Sequence, residues 1–175
     1  MRTETSESVN LQIIRSIKNK GILGATAEEI REQNPFIEDL DFRLNLLSYQ
    51  GILTAARYIH TAGTIYYLTR DTRSLLGTDK FNGMLNKVHV PVDVTIDMDE
   101  DEGERLITCR ISDNALLTPD GWRGEDIVAY SCGGDSDSLI SEVANEFEES
   151  IPEWLRGSII YDVSELDNYE PALQQ

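Results

Sequence analysis

Carboxylates are the side chains with the most chemical potential in this chain, and their spacing limits what they can do. Asp93, Asp97, Asp99 and Asp101 occupy odd positions of a stretch whose even positions are Val90, Val92, Val94, Ile96 and Met98. Strict alternation of this kind is the period of a β-strand with one buried and one wet face. Residues two apart on such a face lie about 6.6–6.8 Å from each other. That is close to the spacing of successive phosphates, so the row is expected to present charge rather as a nucleic-acid backbone does. Glu100, Glu102 and Glu104 adjoin it in the following loop, and Glu142, Glu146 and Glu149 form a second stripe at helical spacing that is expected to extend the surface.

Other chemistry finds little to work with. Asp97-Met98-Asp99-Glu100-Asp101 starts like the D-x-D-x-D of a calcium loop, but that loop needs Gly at its sixth position and Glu at its twelfth. Glu102 and Thr108 stand there, so no metal site is expected. Cys109 and Cys132 do not make a C-x-x-C, and His60 and His89 fall in different halves of the chain, which argues against a zinc site or a Cys–His nucleophile. Gly133-Gly134 lacks the Lys-Ser/Thr of a phosphate-cradling loop. The expectation is a protein without catalytic residues or cofactors.

Charge is distributed unevenly. The 175 residues carry 15 Lys+Arg and 32 Asp+Glu, a formal net charge of −17. Residues 1–75 hold nine of each sign, so the entire excess lies in residues 76–175. Two units with different roles are expected. A polyanionic unit repels nucleic acid and membrane phosphate alike, and attracts basic protein surfaces. At 40% hydrophobic residues the chain can build a core. No apolar run approaches the roughly 18–20 residues of a membrane span, and MRTETSESVN lacks the basic-then-apolar pattern of a signal peptide. A cytoplasmic protein is expected.

The elements that must position these groups follow from periodicity. Val9, Ile13, Ile14 and Ile17 share one helical face, which Gly21 ends. Ile22-Leu23 reads as a short strand step, and Thr26-x-x-Glu29 as a capping box opening a helix that Asn34-Pro35 stops. A third helix from about residue 38 to 50 carries Leu40, Leu44 and Leu47, and a hairpin follows through Arg57 and Tyr66-Tyr67-Leu68. Residues 77–84 read as a linker. Beyond them come strands at 90–98, 106–111, 127–130 and 159–161, with one helix carrying Leu139, Ile140, Val143, Ala144 and Phe147. The fold class is α+β: domains at 8–76 and 85–165, the second a small acidic antiparallel sheet with one packed helix, and a flexible tail at 166–175.

The leucine-lined third helix, the Gly51-Ile52-Leu53 exit and the Tyr66-Tyr67-Leu68-Thr69 return strand resemble a winged helix-turn-helix domain, with a wing similar to that of MarR- and PadR-type regulators. The resemblance implies that the third helix enters the major groove, and it makes Arg43, Asn45, Tyr49, Arg57 and His60 the candidate nucleic-acid contacts. Glu38, Asp39 and Asp41 stand at the start of that helix with Arg43 as its only cation, so direct duplex binding is expected to be weak or absent. The function favoured is a non-enzymatic acidic interaction protein. In charge and size it is similar to small phage-encoded inhibitors that imitate nucleic acid and block a basic, nucleic-acid-handling host protein of defence or transcription. The alternative is a winged-helix transcription regulator that reads DNA as a homodimer.

Overall fold

The structure, a computed structural model, describes residues 6–58, 63–98, 101, 103–112, 117–118, 121–122 and 126–167. The chain divides into two compact units, Met1–Val88 and His89–Gln175. No helix among the described residues is long and apolar enough to cross a membrane.

In the first unit α1 (Ser6–Asn19) buries Ile13, Ile14 and Ile17. Gly21 and Gly24, both at positive φ, then bracket a turn of 3-10 helix over Gly21–Leu23. The strand expected at Ile22-Leu23 is therefore displaced: β1 is Ala25–Thr26, paired with Tyr66 and Ile65, while Ile22 is left 86% exposed. Gly24 has no substitute, because a Cβ there would lie 2.7 Å from the Tyr66 carbonyl oxygen. Thr26 caps α2 (Ala27–Gln33) as its spacing predicts. Its hydroxyl accepts from the Glu29 N–H at 3.2 Å, and its own N–H donates to the Glu29 carboxylate at 2.9 Å. That bond, with Lys20 nearby, holds Glu29 below the usual carboxylate range.

The next helix, α3 (Leu40–Tyr49), starts after Asp39, a residue at φ 55. Leu40, Leu44 and Leu47 enter the core cluster, and Phe42 and Leu46 are buried as well, so the helix is apolar on most of its circumference. β2 (Leu53–Arg57) and β3 (Thr64–Leu68) pair in the register Leu53↔Leu68 to Arg57↔Thr64, completing a sheet of order β1-β3-β2. Thr69 caps α4 (Arg70–Leu75).

The stretch expected as a linker is mostly helix: α5, Asp79–Leu85, capped by the Thr78 hydroxyl. Phe81, 1% exposed, and Leu85 join the same core as α1 and α3. Phe81 and Leu85 are four apart, one helical face, and burying Phe81 contributes about 1.5–3 kcal/mol. An isolated Phe among Gly, Asp and Asn reads as loop until that partner surface exists.

The second unit is a four-stranded sheet of order β8-β5-β4-β9, antiparallel between β4 and β5 and between β5 and β8, with a long helix on one face. Its strands are β4 (Val88–Met98), β5 (Arg105–Ile111), β8 (Ile127–Cys132) and β9 (Ile159–Asp167). A two-stranded hairpin, β6 (Leu117–Thr118) with β7 (Gly121–Trp122), lies between β5 and β8 in sequence. Residues 166–167 close β9 rather than open a tail, and residues 168–175 lie outside the described residues. Val92, Val94, Ile107, Cys109, Ile111, Ile127 and Ala129 form the buried face. The helix α6 (Ser136–Ser150) lays Leu139, Val143 and Phe147 on it, each contributing about 1.5–3 kcal/mol. The cap of α6 is Asp135, which accepts from the Ser138 N–H at 2.8 Å, so the helix begins earlier than the Gly133–Ser138 turn suggests. A short helix, α7 (Glu153–Arg156), buries Leu155 and leads into β9. Tyr161 there donates from its hydroxyl to the Ala144 carbonyl at 3.3 Å and stacks edge-on with Phe147.

Candidate interaction surface

Register places the functional candidates of the second unit. Residues paired across antiparallel strands share a face, and three such rows cross β4, β5 and β8: Asp93, Arg110 and Val128; Thr95, Thr108 and Tyr130; Asp97, Leu106 and Cys132. They lie opposite the face that α6 covers. Val128 is 46% exposed, Tyr130 75% and Cys132 exposed too. This is a flat face with an aromatic, an aliphatic pair and carboxylates, a composition that protein interfaces favour.

The acidic row is less uniform than its sequence implies. Arg110 holds Asp93 at 3.9 Å and Asp126 at 3.5 Å, so one guanidinium sits between two carboxylates. Asp97 has no cation beside it among the described residues. Asp101 and Glu104 are exposed beyond the strand end, while Asp99, Glu100 and Glu102 lie outside the described residues. At the β9 edge His89 faces Asp162, with 3.0 Å between Nδ1 and Oδ2.

Glu142, Glu146 and Glu149 are exposed on α6. They cannot extend the β4 row: α6 packs on the buried face of the sheet, and its wet stripe points the other way. The expectation of one continuous acidic surface is corrected to two, on opposite sides of the unit. Arg110, Asp126, Tyr130 and Asp162 were not among the expected site residues. The alternation in β5 and β8 assigns them to a face, but only pairing register brings those faces beside Asp93 and Asp97.

The expected nucleic-acid contacts fare differently from one another. Arg43 is 6% exposed; its Nε donates to the Glu38 carbonyl at 3.2 Å and its Nη1 to Asn10 Oδ1 at 3.1 Å. It braces α3 against α1 and is not presented to a ligand. The spacing that marks it as a cation near the helix start gives no sign that Asn10 lies opposite. Asn45 and Tyr49 are half-buried, Arg57 is exposed at the end of β2, and His60 lies outside the described residues.

The two cysteines are free and on opposite faces of the sheet. Burial, with the Asp93 charge, pushes the Cys109 thiol up to about 11, the reverse of what a nucleophile needs. Among the described residues no three His, Cys, Asp or Glu are grouped to hold a metal ion. Comparison with protein-family models, with curated proteins and with solved structures returned no match.

Proposed function

We propose that this is a non-enzymatic acidic interaction protein whose second unit binds a basic surface of a nucleic-acid-handling protein and competes there with nucleic acid. The observation that carries this reading is the exposed sheet face opposite α6, where Tyr130, Val128 and Leu106 supply apolar contact and Asp93, Asp97, Asp126 and Asp162 supply charge. The net charge of −17 supports a cationic partner. For the first unit, the order α1-β1-α2-α3-β2-β3 with β1 paired to β3 supports a winged helix. Its use of Arg43 as an internal brace favours a scaffold or protein-binding role over the alternative of a homodimeric regulator reading DNA.

The test uses two variants on opposite faces: Asp97→Lys with Tyr130→Ser, and Glu142→Lys with Glu146→Lys and Glu149→Lys. The partner is first captured from host lysate and eluted by salt, then its binding to each variant is measured at several salt concentrations. The sheet-face variant is expected to lose binding while the helix-face variant keeps most of it. The opposite pattern would overturn the assignment of the surface. Retardation of random duplex DNA by the wild-type chain at about 150 mM salt, where nonspecific contacts are weak, would overturn the functional reading.

A further inference from the structure

The first unit carries a feature that the acidic surface does not use. A groove of about 400 Å³ opens between the end of α1, the turn after it, the end of β3 and α4. Ile17 and Leu68 form its buried floor, Leu76 is half-buried, and Ile22 stands 86% exposed at its lip, with Leu23 beside it at 74%. Lys18 and Arg73 line its sides.

Charge decides what such a groove suits. The chain has 32 acidic and 15 basic residues, and several of its cations are paired: Lys20 with Glu29, Arg31 with Asp41, and Arg110 with Asp93 and Asp126. Lys18 and Arg73 are exposed and have no carboxylate partner among the described residues, and the same holds for Arg15 and Arg70. Arg15 and Lys18 are three apart on α1, as are Arg70 and Arg73 on α4, so each pair shares one helix face. Asp71, two residues from Arg73, falls on the opposite side of α4. Two cations without a carboxylate partner among the described residues thus line one apolar groove, each with a second cation one turn away on its own helix, in a chain with a large excess of acid.

We propose that this groove docks an acidic segment of a partner protein that inserts two or three large apolar side chains, in the helix-in-groove mode. The floor and the exposed Ile22 argue for apolar anchors, which a phosphate backbone does not have. Lys18 and Arg73 at the groove, with Arg15 and Arg70 one turn away, argue for carboxylates around those anchors. The groove belongs to the first unit and the sheet face to the second, and the partner proposed for the groove has the opposite charge.

The probe is a fluorescein-labelled peptide of about 14 residues, four helical turns, with Leu and Phe at i, i+3, i+4 and i+7 and Asp or Glu elsewhere. Its anisotropy is followed on titration with the full chain. A second peptide replaces the acids by Lys, and a third replaces the apolar residues by Ser. The acidic amphipathic peptide is expected to bind, and to weaken about tenfold between roughly 50 and 300 mM salt. Lys18→Glu with Arg73→Glu is expected to weaken it at least about tenfold, and Lys18→Gln with Arg73→Gln by an intermediate factor. Ile22→Ser tests the anchor and is expected to weaken binding several-fold with the charges intact. All these side chains are exposed, and circular dichroism verifies the fold of each variant. Equal binding of the Lys peptide or the Ser peptide would overturn the proposal. So would indifference to the charge variants, displacement of the acidic peptide by a random duplex, or an Ile22-dependent dimer in place of peptide binding.

Discussion

Arg43 separates a DNA-reading first unit from a structurally braced one, because the two assign opposite consequences to its loss. The substitution Arg43→Met keeps an unbranched apolar stem of similar reach and removes the guanidinium. In the structure that group supplies the hydrogen bonds to Asn10 Oδ1 at 3.1 Å and to the Glu38 carbonyl at 3.2 Å, and Asn10 is itself 3% exposed. Hydrogen bonds involving a charged group contribute about 1.5–3 kcal/mol, and a buried acceptor left without a donor costs about 1–3 kcal/mol. These contributions overlap, so the expected loss is about 2–4 kcal/mol. Arg43→Lys keeps the charge but not the fork, and should lose roughly half as much. Urea denaturation followed by far-UV circular dichroism gives the size, and hydrogen exchange in peptides covering residues 38–50 gives the place. Pairing each variant with Asn10→Ala should show a coupling of at least about 1 kcal/mol. A variant as stable as wild type to within about 0.5 kcal/mol, with altered duplex binding, would refute the brace and restore Arg43 as a contact.

Phe81→Ala should destabilise the first unit by about 3–5 kcal/mol, seen as a lower denaturation midpoint; no change would return residues 77–84 to linker status. In the native protein a thiol reagent should modify Cys132 quickly and reach Cys109 only after unfolding. The raised Cys109 value also fixes the direction of alkaline sensitivity. Stability is full below about 9, where the unfolded thiol is neutral, and is lost as pH rises from there through about 11. The loss reaches about 2–3 kcal/mol, and Cys109→Ala should flatten it. Tyr161, raised by burial and by Glu148, adds to the loss in the same direction.

Local signals were legible where one segment decides its own structure. The Thr26 capping box, the stops at Gly21 and Gly51 and the alternation of Val90–Met98 each satisfy local backbone or burial needs, and each is visible in a few consecutive residues. What escaped depends on partners far away in the chain. α5 is a helix because Phe81 and Leu85 find the core built by α1 and α3. β9 extends past Tyr161 because β4 offers it an edge, which its own mixture of Asp, Ser and Glu does not announce. The site followed the same rule. That Asp93 and Asp97 face away from the core is set by alternation, but that Arg110 neutralises Asp93 and that Tyr130 stands two strands from Thr95 is set by register. The helical period placed Glu142, Glu146 and Glu149 together, and only the layer order put them behind the sheet.

That layer order bears on how charge can work here. A sheet and a packed helix put the outer-face aspartates on the order of 20 Å from the α6 glutamates, whereas physiological salt screens exposed charges beyond about 8 Å. The two acidic sets therefore act as separate fields, and a partner seated on the sheet is steered by the carboxylates of that face alone. Those are sparse. Asp93 and Asp97 span about 13 Å of strand, against one charge per roughly 1.7 Å along duplex DNA, and Asp93 is shared with Arg110. Imitation of a phosphate row cannot by itself hold a partner on this face. For the proposed partner, affinity then has to come from the apolar contact of Tyr130, Val128 and Leu106, with the aspartates raising the rate of encounter and fixing orientation. The two contributions are separable within the sheet-face variant: Tyr130→Ser alone acts on dissociation, and Asp97→Lys alone acts on association and its salt dependence.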